Sequence, residues 1–371
     1  MTVINSTILK IKANKGFFFV FVPAVLVVFI FAFLMLTYPQ ISAEGVKNGL
    51  SLCLETVIPS LFPFMFVVTL LYDMGVFALF SAGTSDLMYT IFRLPGVAFP
   101  IMLMSLLGGY PVGATLIEKA YDKGELTLSQ AERMLSFCIN PGPAFTVSVI
   151  GAGVIGSVKA GAIIYVSVTA ATLIIAFISR FFDNEDVYVF EKQAKNILSC
   201  DASVLSNAIN KSTRSMVSIC VCVLVFSCLN SLTEMLLHNK DISMYFGMLS
   251  EVTNGGIIAS ENFSLPVIAA VVSFGGFCVH FQVLPVILKL KLRYRLFLVI
   301  RVLSAALSCT VAFALIRIFP QYSSVVSLGT KPQSASFEVS FPVCIWLMVM
   351  CGLFLIGDNY ILSKKLTDKS V

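Results

Sequence analysis

The sequence predicts an all-α integral membrane protein, with about eight transmembrane helices and two re-entrant hairpins arranged as an inverted repeat. Three observations carry that expectation. Apolar residues make up 58% of the 371 and charged residues only 12%, against about 25% charged in a soluble domain. The apolar runs are too many and too long for one buried core. And the uncharged run 94–117 is broken at its centre by Gly108-Gly109-Tyr110-Pro111. Irregular backbone at membrane depth leaves peptide groups unpaired at several kcal/mol each, so it is tolerated where it lines a cavity.

About 20 apolar residues cross a bilayer as a helix. On that measure the spans fall at 17–37, 50–72, 128–158, 161–180, 213–236, 265–289, 296–318 and 341–357. The first follows Lys10, Lys12 and Lys15. It is longer than the apolar core of a secretory leader and lacks a small-residue cleavage site, which predicts an uncleaved first helix. Segments 95–121 and 246–264 read as hairpins that dip in and return. The second holds Glu251 and Glu261 and is too polar to face lipid.

Charge placement tests the topology. With the N-terminus in the cytoplasm, the inner side collects Arg93, Lys119, Lys123, Arg133, Arg180, Lys211, Arg214, Lys289, Lys291, Arg293, Arg295 and the C-terminal lysines. The outer side holds only Lys47, Lys159, Lys240, Arg317 and Lys331. If 95–121 crossed outright, every later basic cluster would change sides. A multi-pass protein of the cell membrane with both termini cytoplasmic is therefore expected.

The units follow from this order. Residues 1–44 hold the first helix, 45–182 a repeat whose hairpin enters from inside, and 183–205 a cytoplasmic connector. Residues 206–319 form a repeat whose hairpin enters from outside, and 320–371 an outer loop and last helix. Inverted repeats with discontinuous helices are an architecture of secondary transporters.

Each repeat has two breaks. They are 108–113 and 140–143 in the first, 251–256 and 275–282 in the second. A half-helix beginning at mid-membrane points unpaired N–H groups and partial positive charge at its cavity. The candidate solute-binding residues are Gly109, Tyr110, Pro111, Gly113, Asn140, Glu251, Thr253, Asn254, His280 and Gln282. Glu251 is the sharpest, because a carboxylate at membrane depth is costly and usually functional. His280 reads as a proton carrier or, with slightly more weight, as a hydrogen-bonded packing residue. Arg301 lies within a span, and a buried pair with Glu234 or Glu55 is left open.

The exclusions are equally direct. No Walker-type phosphate loop and no Gly-x-Ser-x-Gly elbow occurs, and the two histidines, His238 and His280, rule out a histidine-rich metal site. The ten cysteines show neither metal-ligand spacing nor a disulfide framework. The basic residues sit at span ends rather than on a nucleic-acid-binding face. No enzyme activity, cofactor, metal or nucleic acid is expected. The expected partners are the bilayer and a small polar solute with a coupling cation or proton, a homo-oligomer being left open.

At these residues the chain resembles a known group. The runs Ile58-Pro59-Ser60-Leu61-Phe62-Pro63-Phe64, Gly109-Tyr110-Pro111-Val112-Gly113-Ala114, Glu132-Arg133 and Asn140-Pro141-Gly142-Pro143-Ala144-Phe145 resemble sporulation integral membrane proteins of the YlbJ type. These sit within the wider nucleoside-recognition (Gate) family, related to concentrative nucleoside transporters and to the permease part of ferrous iron transport protein B. The likeness covers about 45–320. It implies two opposed hairpins, a role in endospore formation, and a solute held at hairpin tips and broken helices. The polar tip of the nucleoside transporters is replaced here by Gly-Gly-Tyr-Pro, and the tip cysteine of the iron permeases is absent. Two functions follow as expectations: a secondary transporter of a small polar, nucleoside-like solute, or a non-transporting membrane scaffold for spore cortex or coat assembly.

Overall fold

The computed structural model describes residues 15–182, 202–237 and 239–319. The expected connector 183–201 and the last span, 341–357, lie outside the described residues. Among the described residues every regular element is a helix. Four helices are long and apolar enough to cross a membrane, and a bent pair near the N-terminus makes a fifth. The protein is thus a multi-pass helical membrane protein.

α1, Lys15–Thr37, is apolar along its length. It stops before Pro39, which cannot extend a helix from the preceding residue, and the chain turns by 104° into the next helix. α2, Pro39–Leu52, runs on through a π-helical turn, Cys53–Val57, into α3, Ile58–Asp73. Pro59 and Pro63 each remove a backbone donor, and a widened turn just upstream accommodates the lost bond.

A left-handed Gly75 then leads into α4, Val76–Phe92, a helix the hydropathy reading does not single out. Its closing carbonyls accept from two arginines. Arg133 donates to Phe92 at 2.7 Å, and Arg180 donates to Ile91 at 3.1 Å. Asp73, just ahead of α4, pairs with Lys211 at 2.7 Å. Both ends of α4 therefore lie on one charged face, and the helix runs along it.

The two hairpins are built from short helices. α5, Ala98–Gly108, and α6, Val112–Asp122, flank a tip at 109–111. α7, Leu128–Phe137, opens with a capping box in which the Thr127 hydroxyl accepts from the Gln130 amide and the Gln130 side chain accepts from the Thr127 amide. The segment expected as a broken span at 128–158 is α7, a break, and a second π-helical segment, Ala144–Ile155. α8, Val158–Ser179, completes the first series.

The second series opens with α9, Ala202–Leu236. α10, Lys240–Ser250, and α11, Val252–Asn262, form a hairpin whose tip is Glu251. α12, Leu265–Phe274, and α13, Gly276–Lys289, are one broken helix, and α14, Tyr294–Ile318, closes it. The two opening helices run antiparallel. Cys53 reaches the Cys220 carbonyl, the Ser212 hydroxyl donates to the Met65 carbonyl, and Asp73 meets Lys211. α8 and α14 pack against each other and both against α12.

Ion pairs gather on the face that carries α4. Lys289 meets Asp122 at 2.6 Å and Glu118 at 2.8 Å, and Arg293 grips Glu132 with two parallel bonds of 3.0 and 3.1 Å. These join the first hairpin and α7 to the end of α13. Half-exposed pairs of this kind contribute about 0–1 kcal/mol each. They fix register more than they stabilise.

Candidate functional site

Both hairpin tips and both helix breaks meet at one chamber. It is small and partly open, with a cavity volume of ≈ 30 Å³ available to water centres. The first hairpin supplies Tyr110, the first break Gly142 and Phe145, and the second hairpin Glu251, Val252 and Thr253. α13 supplies Val279 and Gln282. The widened turn in the opening helix presents Thr56 and Val57, and α9 closes the wall with Ile219 and Val223.

The first tip is shaped by close approach. Gly109 has φ +75°, and the Tyr110–Pro111 bond is cis. Tyr110 is buried, and its hydroxyl donates across to the Val272 carbonyl at 2.5 Å. Gly113 sits one turn beyond, where a Cβ would fall 1.7 Å from the Cys138 carbonyl oxygen. Only hydrogen fits there, so hairpin 1 is seated directly on the end of α7.

The second tip is shaped by charge. Glu251 is extended (φ −138°, ψ 130°) and is the N-cap of α11. Its carboxylate accepts from the Thr253 amide at 3.0 Å and the Asn254 amide at 2.7 Å. A cap of this kind stabilises a helix by about 0.5–2 kcal/mol. The residue is 1% exposed, and among the described residues no cation pairs with it.

The second break turns at Gly275 (φ +85°), a conformation that costs side-chain-bearing residues about 1–2 kcal/mol. Gln282, two turns on, gives its amide N–H to the Cys278 sulfur at 3.3 Å, while its Oε1 has no partner among the described residues.

Arg301 is the buried cation of the site, 1% exposed. It pairs with neither Glu234 nor Glu55; the Glu55 carboxylate instead accepts from Ser51 at 2.8 Å. The guanidinium donates to the Ile139 carbonyl at 2.5 Å, to the Phe274 carbonyl at 3.4 Å and to the Ser273 carbonyl. These oxygens end the first half of each broken helix, where partial negative charge accumulates. One side chain thus closes the carbonyl ends of both breaks.

Of the expected site residues, Tyr110, Glu251, Thr253 and Gln282 line the chamber. Gly109 and Pro111 shape the tip, and Gly113 seats the hairpin. Asn254 contributes its amide to Glu251. Asn140 and His280 are engaged elsewhere. Asn140 donates to the Phe137 carbonyl and accepts from the Thr172 hydroxyl, both at 2.7 Å, which ties the first break to α8. His280 lies among Phe274, Phe277, Tyr294 and Phe297, with its ring nitrogens 3.3 Å from the Phe274 oxygen and 3.4 Å from the Tyr294 hydroxyl. Packing is its role here.

Sequence reasoning offered Arg301 only an ion pair with Glu234 or Glu55 and no role at the breaks, although a cation inside an apolar span is itself a signal. Phe145, Ile219 and Val223 carry no such mark, because an apolar wall residue reads like any lipid-facing one, and Thr56 is a lone hydroxyl within a helical segment.

Fold and site together define a polytopic helical membrane protein with a polar-tipped internal chamber. The chain is 24% identical over 373 aligned positions to the sporulation integral membrane protein YlbJ of Bacillus subtilis strain 168, a match spanning 86% of this chain and 91% of that protein. No family model matches the chain. No solved structure matches it.

Proposed function

We propose that this protein is a secondary transporter acting in sporulation, moving a small polar solute through a chamber between two oppositely inserted hairpins. The observation that carries this reading is the meeting of both tips and both breaks around Glu251. Half-helix N-termini and a buried acid at one point are the parts a solute site with coupled cation or proton needs. The ion-paired face that carries α4 is the cytoplasmic one on this reading, in line with the positive-inside rule. The sporulation role is carried over from the relative named above, and a nucleoside-like solute from the Gate-family likeness of the tips and breaks.

Uptake by proteoliposomes from a mixture of nucleosides, amino acids and amines, read by mass spectrometry, tests the proposal. At least one solute should accumulate above empty liposomes, and Glu251→Gln should cut its rate at least tenfold. No accumulation of any solute would sink the transport reading and favour the scaffold. That alternative draws on one observation: Asn140 and His280, polar residues of the two broken helices, are engaged by protein partners.

A further inference from the structure

Resting on the chamber being a solute site, we propose that its solute is a small organic cation: one ammonium-type charge on an apolar body. The motive is an imbalance of charge and hydrogen-bonding sense. Glu251 is buried at the chamber wall with a carboxylate and, among the described residues, no ion-pair partner. A buried carboxylate is stable as an anion only when charge or hydrogen bonds compensate it, and here two backbone amides and the Thr253 side chain bond it, with no ion pair beside them.

The buried cation, Arg301, donates to the carbonyls of Ile139, Ser273 and Phe274 and bonds the Tyr110 hydroxyl. It makes no ion pair with Glu251. A second acceptor belongs to a chamber-lining residue: Gln282 Oε1 is buried and has no partner among the described residues. A ligand meeting Glu251 and Gln282 must therefore bring donors, and a full positive charge satisfies both.

The remaining wall chooses among cations. An alkali-metal or alkaline-earth ion needs a shell of oxygen ligands. This wall adds only the Thr56 and Thr253 hydroxyls to Glu251 and Gln282 and is otherwise apolar, chiefly Leu61, Ile219, Val223 and Val279 with the rings of Tyr110 and Phe145. Such a lining holds the carbon skeleton of an alkylammonium, and ring faces attract its charge. An anion is disfavoured. The N-terminus of α11, which would attract one, is already filled by the Glu251 carboxylate.

The test uses the full-length protein in detergent and three isosteric probes: isobutylammonium, neutral isobutanol and anionic isobutyrate. Isobutylammonium alone should raise the melting temperature in a saturable way, as mass action requires of a ligand bound to the native state. Glu251→Gln should weaken that binding at least tenfold. Gln282→Glu, which adds a second acceptor charge without touching the cap, should tighten it, and keeps the test open if the first variant fails to fold. Equal stabilisation by isobutanol or isobutyrate, an unchanged dissociation constant in both variants, or no ammonium-specific shift overturns the proposal. Saturation of the shift by sodium chloride overturns it in favour of an inorganic cation. Proteoliposome uptake of only a neutral or acidic solute would overturn the charge class while leaving transport standing.

Discussion

The two hairpins do the same architectural job with opposite chemistry. Hairpin 1 turns at Gly109-Tyr110-Pro111, carries no charge there, and is held from outside itself: by Gly113 against the Cys138 carbonyl and by the Tyr110 hydroxyl on Val272. Hairpin 2 turns at a single extended residue, Glu251, which is held by its own helix. The breaks differ in the same sense. The first is made by prolines at 141 and 143, the second by Gly275 and Gly276 in left-handed backbone. One half of the molecule is positioned by shape and the other presents charge, so substitutions should separate stability from binding according to which half they touch.

The largest expected effect falls where the halves share a support. Arg301→Leu strands three buried carbonyls belonging to both breaks, at about 1–3 kcal/mol per unsatisfied group. Loss of a folded peak on size exclusion, or a melting transition shifted far down, is the expected result; near-normal melting would show that the breaks do not depend on it. Next comes Gly113→Ala. Its Cβ meets backbone rather than a movable side chain, and a penalty at or above the ~3 kcal/mol end of overpacking is expected. The matching change in hairpin 2, Gly255→Ala, places a Cβ 2.6 Å from the Met248 carbonyl oxygen and should cost less. Comparing the two melting temperatures sharpens the contrast, and equal losses would break it.

Tyr110→Phe removes the hydroxyl's bonds across the halves to the Val272 carbonyl and to Arg301 and should destabilise by about 1–3 kcal/mol, read in the same melts. Glu251→Gln is expected to cost about 1 kcal/mol, because its single amide oxygen can accept from only one of the Thr253 and Asn254 amides that the two carboxylate oxygens now hold. A loss of that size beside a large loss of uptake would place Glu251 with the solute. A stability loss matching that of Gly113→Ala would make it structural instead.

How much of this was legible beforehand varied by residue type. The tip at 109–111 was marked by glycine and proline inside an uncharged run, and the tip at Glu251 by an acid inside an apolar one. Both marks work because backbone irregularity and buried charge are expensive in lipid. α4 was missed because Ser81, Gly83, Thr84, Ser85 and Asp86 dilute its apolar character below that of a span. The long opening helix was expected to start at 50, yet it starts at Pro39, since Glu44, Lys47 and Asn48 lower hydropathy without opposing helix formation. Asn140 and His280 looked like solute contacts because a polar residue at a break reads the same whether it faces a cavity or a neighbouring helix. Only the positions of Thr172 and Tyr294 decide, and those are tertiary facts.

Arg301 also sets an order of events. It is encoded downstream of both breaks, in the last of the described helices. While the chain is being made, the oxygens of Ile139, Ser273 and Phe274 must wait for their shared donor until α14 has left the ribosome and entered the bilayer. The earlier segments can insert one by one, but the centre of the molecule locks late and all at once.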